Sequence, residues 1–202
     1  MKRVSTLNQA ARVNDFITDE ELVELVVAGQ GEVFARLYER YHLRAYRLAW
    51  GMTAQRETAE DLTQEIFLRA YQKLNLFRSE ASFATWFYRL AINCCLQSRQ
   101  RARKNFTETV EETELMRLLD GHATIGAHPT ETAVLQQEEQ AIIHKALLSL
   151  KPDLRMVVIL RNLEELSYDE IAERMNCSIG TVGTWLHRAH KLLATKLAGL
   201  RK

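Results

Sequence analysis

The sequence predicts an all-α protein: two small helical domains joined by an acidic, flexible linker, the second domain a helix-turn-helix. Three observations carry this. Only 2 prolines and 8 glycines occur in 202 residues, too few for a turn-rich β architecture. Apolar residues recur at steps of three and four, and no segment alternates as a half-buried strand does. Charge is also sorted along the chain. Residues 1–104 carry sixteen Lys/Arg against twelve Asp/Glu, and residues 105–143 carry Arg117 alone against eight acids. Residues 144–202 carry ten basic against six acidic side chains, with no acid after Glu173. A net charge of +1 therefore hides two basic ends and an acidic middle. Basic ends suit a polyanion, and an acidic connector is repelled by one.

Residues 1–17 read as a loose arm. Thr18-Asp19-Glu20-Glu21 is a capping box, with Leu22, Leu25 and Val26 following at helical spacing. Gly29 to Gly31 breaks that helix. A second helix is expected over about 32–52, carrying Phe34, Leu37, Tyr38, Tyr41, Tyr46 and Leu48. A third is expected over 56–73, with Ala59, Leu62, Ile66, Phe67 and Ala70 on its apolar side. Ser82 caps a fourth, in which Phe83, Trp86, Phe87, Leu90 and Ala91 repeat at core spacing. These helices make a domain over 18–104. Gly121, Gly126 and Pro129 interrupt the acidic stretch, so 105–133 reads as a linker. The domain 134–202 holds helices at about 134–149, 152–164, 168–175 and 179–199, with Pro152 at a helix start.

The sharpest local pattern lies in that last domain. Ser167 to Glu170 is a second capping box, and Ile171, Ala172 and Met175 face inward. Asn176-Cys177-Ser178 makes a short turn, and Ser178 caps a helix with Val182, Leu186, Ala189 and Leu193 as its buried stripe. The other face offers Thr181, Gly183, Thr184, Trp185, His187, Arg188 and Lys191. A short helix, a tight turn and a helix with a polar, basic face is a helix-turn-helix, whose second helix enters the DNA major groove. An ordinary helical hairpin is the plainer alternative; the charge asymmetry argues against it.

Two features of the first domain ask for more than folding. Asp61, Gln64 and Glu65 share one polar helix face, which a solvated surface would also explain. In the stretch 76–93, aromatic rings interleave with Arg78 and Arg89 beside the basic tract Arg99, Arg101, Arg103 and Lys104. Rings with cations suit single-stranded DNA, where bases stack and phosphates pair. Core spacing claims Phe83, Trp86, Phe87 and Leu90 for packing. Ser79, Glu80, Ser82, Thr85, Arg89 and Asn93 remain as contact candidates.

In this order, the acidic helix face, Phe77-Arg78-Ser79-Glu80-Ala81, Thr85-Trp86-Phe87-Tyr88-Arg89-Leu90-Ala91-Ile92-Asn93, Leu150-Lys151-Pro152 and Leu166-Ser167-Tyr168-Asp169-Glu170-Ile171-Ala172 resemble the extracytoplasmic-function sigma factors. The resemblance spans roughly 20–104 and 134–200. It implies that Asp61, Gln64, Glu65 and Phe67 dock on the clamp of core RNA polymerase. It implies that Phe77, Arg78, Ser79, Glu80, Ser82, Thr85, Arg89 and Asn93 capture a flipped base of the −10 element. Arg99, Arg101, Arg103 and Lys104 would track DNA backbone. Ser178, Thr181, Gly183, Thr184, Trp185, His187, Arg188 and Lys191 would meet the −35 element. Core polymerase, promoter DNA as duplex and non-template single strand, and an anti-sigma factor are the implied partners.

One departure matters. The family often has basic residues where this chain has Gly183 and Trp185, and often Arg at His190. Fewer cations release fewer counterions, which predicts a weak or unusual −35 preference.

No nucleophile motif, phosphate-cradling loop or metal-ligand spacing appears, which predicts a protein that is not an enzyme and takes no cofactor or metal. Cys94, Cys95 and Cys177 lack pairing or ligand spacing and read as small fillers in a reducing cytoplasm. No signal peptide or membrane-spanning run is apparent. Two rivals remain: a conventional duplex-binding regulator, and a helical protein that sequesters a partner. The first leaves the 60–67 face without a purpose, and the second has no need of basic ends.

Overall fold

Helix α1 (Asp19–Val27) starts where the sequence places a capping box. Glu21 N–H donates to the Thr18 hydroxyl at 3.2 Å, and Thr18 N–H donates to the Glu21 carboxylate at 2.7 Å. Two of the first-turn amides that lack intrahelical partners are satisfied this way. The structure, a computed structural model, describes residues 17–107 and 131–200, without the side chains of 102–139 and 199–200. The arm and most of the linker lie outside the described residues. Eight α-helices and no strand are found among those described, which is the all-α class expected.

Gly29 ends the first helix at φ 102°, a conformation that costs glycine nothing. A single 3-10 turn, Gly31–Val33, leads into α2 (Phe34–Met52), so the second helix begins slightly later than its periodicity suggests. Helix α3 is Arg56–Lys73, as expected. Helix α4 (Phe83–Thr107) runs past the expected boundary at 104. Its N-terminus is satisfied twice: Ser82 Oγ accepts from Thr85 N–H at 3.2 Å, and Glu20 of α1 accepts from Phe83 N–H at 2.8 Å. A carboxylate at a helix N-terminus also meets the positive end of the helix dipole.

The core of α1–α4 is aromatic. Tyr41 lies 5.3 Å from Phe83 and 5.0 Å from Phe87, centroid to centroid, and Phe67 lies 5.2 Å from Phe87. Leu37, Ala45, Leu48, Ile66 and Ala91 fill the rest, all buried. Small residues at Ala45, Ala49 and Ala59 let the helices approach closely.

Helices α5 (Glu131–Leu148), α6 (Pro152–Asn162), α7 (Tyr168–Met175) and α8 (Ile179–Leu200) form the second group. Helix α6 is nearly all inside, with Leu154 to Leu160 buried without interruption. That run includes Arg155, whose relative exposure is 0%. The two groups do not stand apart: α6 packs on α2, and α7 packs on α4. One apolar core continues through both.

Candidate nucleic-acid interface

The turn between α7 and α8 has the geometry its residues ask for. Ser167 accepts from Glu170 N–H at 3.2 Å, and Glu170 accepts from Ser167 N–H at 2.8 Å. These bonds hold the Glu170 carboxyl below its ordinary pKa. Asn176 closes α7 in the left-handed region at φ 52°, where asparagine is tolerated better than most residues. Ser178 Oγ accepts from Thr181 N–H at 3.1 Å and starts α8. Val182, Leu186 and Ala189 are buried, which turns Ser178, Thr184, His187, Arg188 and Lys191 outward as exposed residues. Thr181 and Gly183 are half-buried. A Cβ on Gly183 would meet nothing nearer than the Tyr168 ring at 3.9 Å, so packing does not require glycine there.

Trp185 departs from the sequence expectation. It is half-buried, packs against the core, and lines a groove with Arg89, Ile92, Asn93, Arg174 and Asn176. It also lines a second groove with Lys151, Leu154, Arg188 and Lys191, so it borders the outer face beside Arg188.

On α3, Asp61 and Gln64 are exposed, and Glu65 is half-buried between Arg69 and Arg101, the latter at 3.3 Å. Phe67 is different: it is 5% exposed and packs against Phe34, Tyr38 and Phe87. It shapes the face from beneath and has no surface with which to touch a partner. Periodicity puts Phe67 on the apolar side, and its burial agrees with that part of the reading.

The loop before α4 exposes Arg78, Ser79, Glu80 and Ser82, with Ser79 at φ 55°. Phe77 is half-buried and packs edge-on against Phe83 and Trp86 at 5.9 and 5.8 Å. Thr85 is buried, its N–H on Ser82. Thr85 is thus tied to the loop, and Phe77 keeps part of its ring at the surface. Arg89 and Asn93 are exposed and one turn apart on α4. Arg99 is half-buried and Arg101 exposed; the side chains of Arg103 and Lys104 lie outside those described.

A set of polar residues escaped the sequence reading. Tyr88 donates to Glu164 at 2.7 Å, Arg47 approaches Glu164 at 3.7 Å, and the Arg174 guanidinium lies 4.5 Å over the Tyr88 ring. Burial first, and the Glu164 carboxylate second, push the Tyr88 hydroxyl well above its ordinary pKa. Arg89 Nε–H donates to the Glu173 carbonyl at 3.1 Å. His144 meets the Trp50 carbonyl at 3.0 Å and stacks on its ring at 4.5 Å. All of these join the first helical group to the second. Only Arg155, a charge inside an apolar run, carried a signal legible beforehand.

Comparison with known proteins agrees with the geometry. The model of Sigma-70 region 2 matches residues 37–105, and that of Sigma-70 region 4 matches residues 140–193. The chain is 34% identical to the RNA polymerase sigma-H factor of Pseudomonas aeruginosa over 185 residues, covering 90% of this chain and 95% of that protein. It is 32% identical to the ECF RNA polymerase sigma-E factor of Escherichia coli K12 over 189 residues, 93% of this chain and 98% of that one. Two solved structures share the fold. CnrH, in complex with the cytosolic domain of CnrY, aligns at TM-score 0.62 and 19% identity over 90% of this chain and 97% of that chain. The sigma factor RpoE of Bartonella quintana, in complex with the anti-sigma factor NepR, aligns at 0.61 and 22% over 82% and 96%. The two family models in this order, with relatives above 30% identity over nearly the whole chain, make this a promoter-recognition protein, and the chain belongs to the extracytoplasmic-function sigma factors. It is a transcription initiation factor for RNA polymerase and not an enzyme.

Proposed function

We propose that this sigma factor divides its work between a melting module over 18–104 and a −35 module over 134–202. Residues 1–17 serve as an arm and 105–133 as the connector. The exposed Asp61 and Gln64, with Glu65, form the docking face for the polymerase clamp, and Phe67 holds that face from behind. Arg78, Ser79, Glu80 and Ser82 of the loop, with Arg89 and Asn93 of α4, receive one unstacked base of the −10 element. Phe77 and Thr85 position them. Arg99 and Arg101, continued by Arg103 and Lys104, follow the backbone. On α8, Ser178, Thr181, Thr184, His187, Arg188 and Lys191 meet the −35 duplex. Gly183 leaves room for close backbone approach, and Trp185 borders the same face beside Arg188 and Lys191.

One observation carries this reading: Arg89 and Asn93 stand exposed, one turn apart, over a packed aromatic base. Rigid support is what a base-capturing pocket needs, because extruding a base costs a few kcal/mol that its contacts must offset. Binding energy deforms the DNA, and the polymerase performs the chemistry. The place of action is the cytoplasm. An anti-sigma factor is the further partner, as NepR is for RpoE of Bartonella quintana.

Run-off transcription with core polymerase and promoter fragments, read with permanganate footprinting of unpaired thymines, tests this. Transcripts and melting that need both proteins are expected, with Asp61→Ala weakening core binding. Melting unaffected by Arg89→Ala and Asn93→Ala would overturn the pocket assignment. Competition with altered −35 duplexes tests Trp185: no change of affinity or preference in Trp185→Ala would remove it from the −35 reader.

A further inference from the structure

Helix α8 carries no lysine or arginine over 179–187. Its cations begin at Arg188 and continue at Lys191, one turn on. Both line a groove of about 470 Å³ whose far wall is Lys151, the residue that precedes α6. Leu154, Trp185 and Leu192 are its apolar lining. Asp153 also lines it, so three cations face one carboxylate. A cleft in which one sign of charge prevails draws an ion of the other sign.

The three cations are available to such an ion. Lys151, Arg188 and Lys191 are exposed, and no ion pair engages them among the described residues. In the first domain Arg40, Arg56, Arg69 and Arg101 are each paired with a carboxylate. Lys151 also stands on a fixed base. Its carbonyl accepts from Arg155 N–H at 3.0 Å, and the buried Leu154 and Arg155 anchor the turn that follows. The proline ring of residue 152 sets the backbone between them. The lysine side chain itself makes no capping bond to α6, which leaves its ammonium free to meet a ligand.

We propose that this groove is a phosphate clamp for duplex DNA, in which Lys151 joins Arg188 and Lys191 on the sugar-phosphate backbone beside the −35 element. The proposal rests on the assignment of α8 to that element. In a helix-turn-helix the N-terminal residues of the second helix meet base edges. Here those residues are uncharged: Thr181, Gly183 and Thr184. Phosphate contacts fix register and orientation without reading sequence. The chain thus separates two tasks, an uncharged half of α8 for the bases and a cationic groove for the backbone. Lys151 comes from a different helix, so the clamp grips the duplex from two elements and sets the angle at which α8 approaches it. Arg188 and Lys191 continue the face of Thr184 and His187, so an anion in the groove lies beside whatever α8 reads. A duplex backbone satisfies that adjacency.

Binding of the holoenzyme, this chain with core polymerase, to promoter duplexes across a salt series tests the clamp. Each phosphate contact adds about 0.9 to the slope of log K against log salt. Lys151→Gln should flatten that slope by about one and weaken binding roughly five- to tenfold near 0.1 M salt. The factor should be the same whether the −35 sequence is intact or altered. Lys151→Arg should keep the wild-type slope. Lys196→Gln, which removes an exposed cation of α8 outside the groove, should leave it unchanged. An unchanged slope in Lys151→Gln, with helix content intact by circular dichroism, overturns the clamp. So does a loss that depends on the −35 sequence, or one that Lys196→Gln reproduces. If altering the −35 sequence costs the wild-type holoenzyme nothing, the α8 assignment fails, while the Lys151 slope still reports the backbone contact.

Discussion

The guanidinium of Arg155 donates to the main-chain carbonyl of Met52 at 3.2 Å, a bond that runs from the second helical domain to the last residue of α2. The same group donates to the carbonyls of Leu147 at 2.7 Å, Leu150 at 3.0 Å, and Leu148. One side chain thus collects the C-terminal carbonyls of two helices, α2 and α5, where the helix dipole is negative. Burial, with Arg99 nearby, pulls its pKa down to about 9, so it stays charged at neutral pH. Arg155→Leu keeps the apolar volume and strands the carbonyls. It is expected to lower stability by about 3 kcal/mol, measured by urea denaturation at neutral pH. A change below about 0.5 kcal/mol would mean that water reaches these carbonyls and that the guanidinium is not needed.

The capping box at Ser167 sets the register of the helix-turn-helix. Ser167→Ala removes the acceptor for Glu170 N–H and leaves the Glu170 carboxylate with only the backbone donor. A loss of about 1 kcal/mol is expected, seen as a fall of about 3 °C in calorimetric Tm for a chain of this size. The Glu170 carboxyl is held below its ordinary pKa, so its contribution is present at neutral pH. That contribution disappears as acidification passes the lowered value. Both proteins keep the Ser167 N–H donor to that carboxylate, so both should lose this contribution and a difference between them should persist in acid.

Local chemistry made much of this legible in the sequence. The two capping boxes, the Ser82 and Ser178 caps, Pro152 and the Asn176 turn are short-range signals, and the starts of α1, α4, α6, α7 and α8 followed from them. Periodicity likewise put Phe83 and Phe87 in the core. What stayed hidden was long-range. Glu20 capping α4 spans 63 residues, and Tyr88 meeting Glu164 spans 76. No spacing rule pairs residues that far apart. Phe67 and Thr85, marked as contacts by a motif, are buried, and Phe77 is half-buried, so a motif alone did not show how much of each side chain reaches the surface. Half-burial of Trp185, between a groove it shares with Arg89 of α4 and one it shares with Arg188, could not be read without knowing that the two domains touch.

Burial also sorts the three cysteines by reactivity. Desolvation raises the pKa of all three thiols. Cys95 is fully buried, Cys94 nearly so with an Arg69 donor at 3.5 Å, and Cys177 is half-buried in the turn. Thiolate fraction and access together set the rate. A maleimide at neutral pH should therefore label Cys177 first, with Cys94 and Cys95 modified only on unfolding, as mass spectrometry of digests would show. Blocking Cys177 should leave run-off transcription intact if it is a filler of the turn; lost activity would give that thiol a role.

His144 makes the fold sensitive to mild acid. Burial, the largest influence, lowers its pKa below the ordinary 6.5, and the nearby Arg155 guanidinium adds to this. The ring is then neutral at pH 7, stacked on Trp50 and bonded to its carbonyl. In the unfolded chain the same imidazole takes a proton near its ordinary value. Below about 6.5 the unfolded state therefore binds more protons than the folded one, and stability falls as pH falls. Above that value the contribution is full and flat. Urea denaturation at pH 7.5 and at pH 5.5 should show this loss in the wild type, and a smaller one in His144→Gln. Because Trp50 belongs to the first domain and His144 to the second, small-angle scattering at pH 5.5 should also show expansion before unfolding. Equal pH dependence in the two proteins would assign the acid sensitivity to other groups.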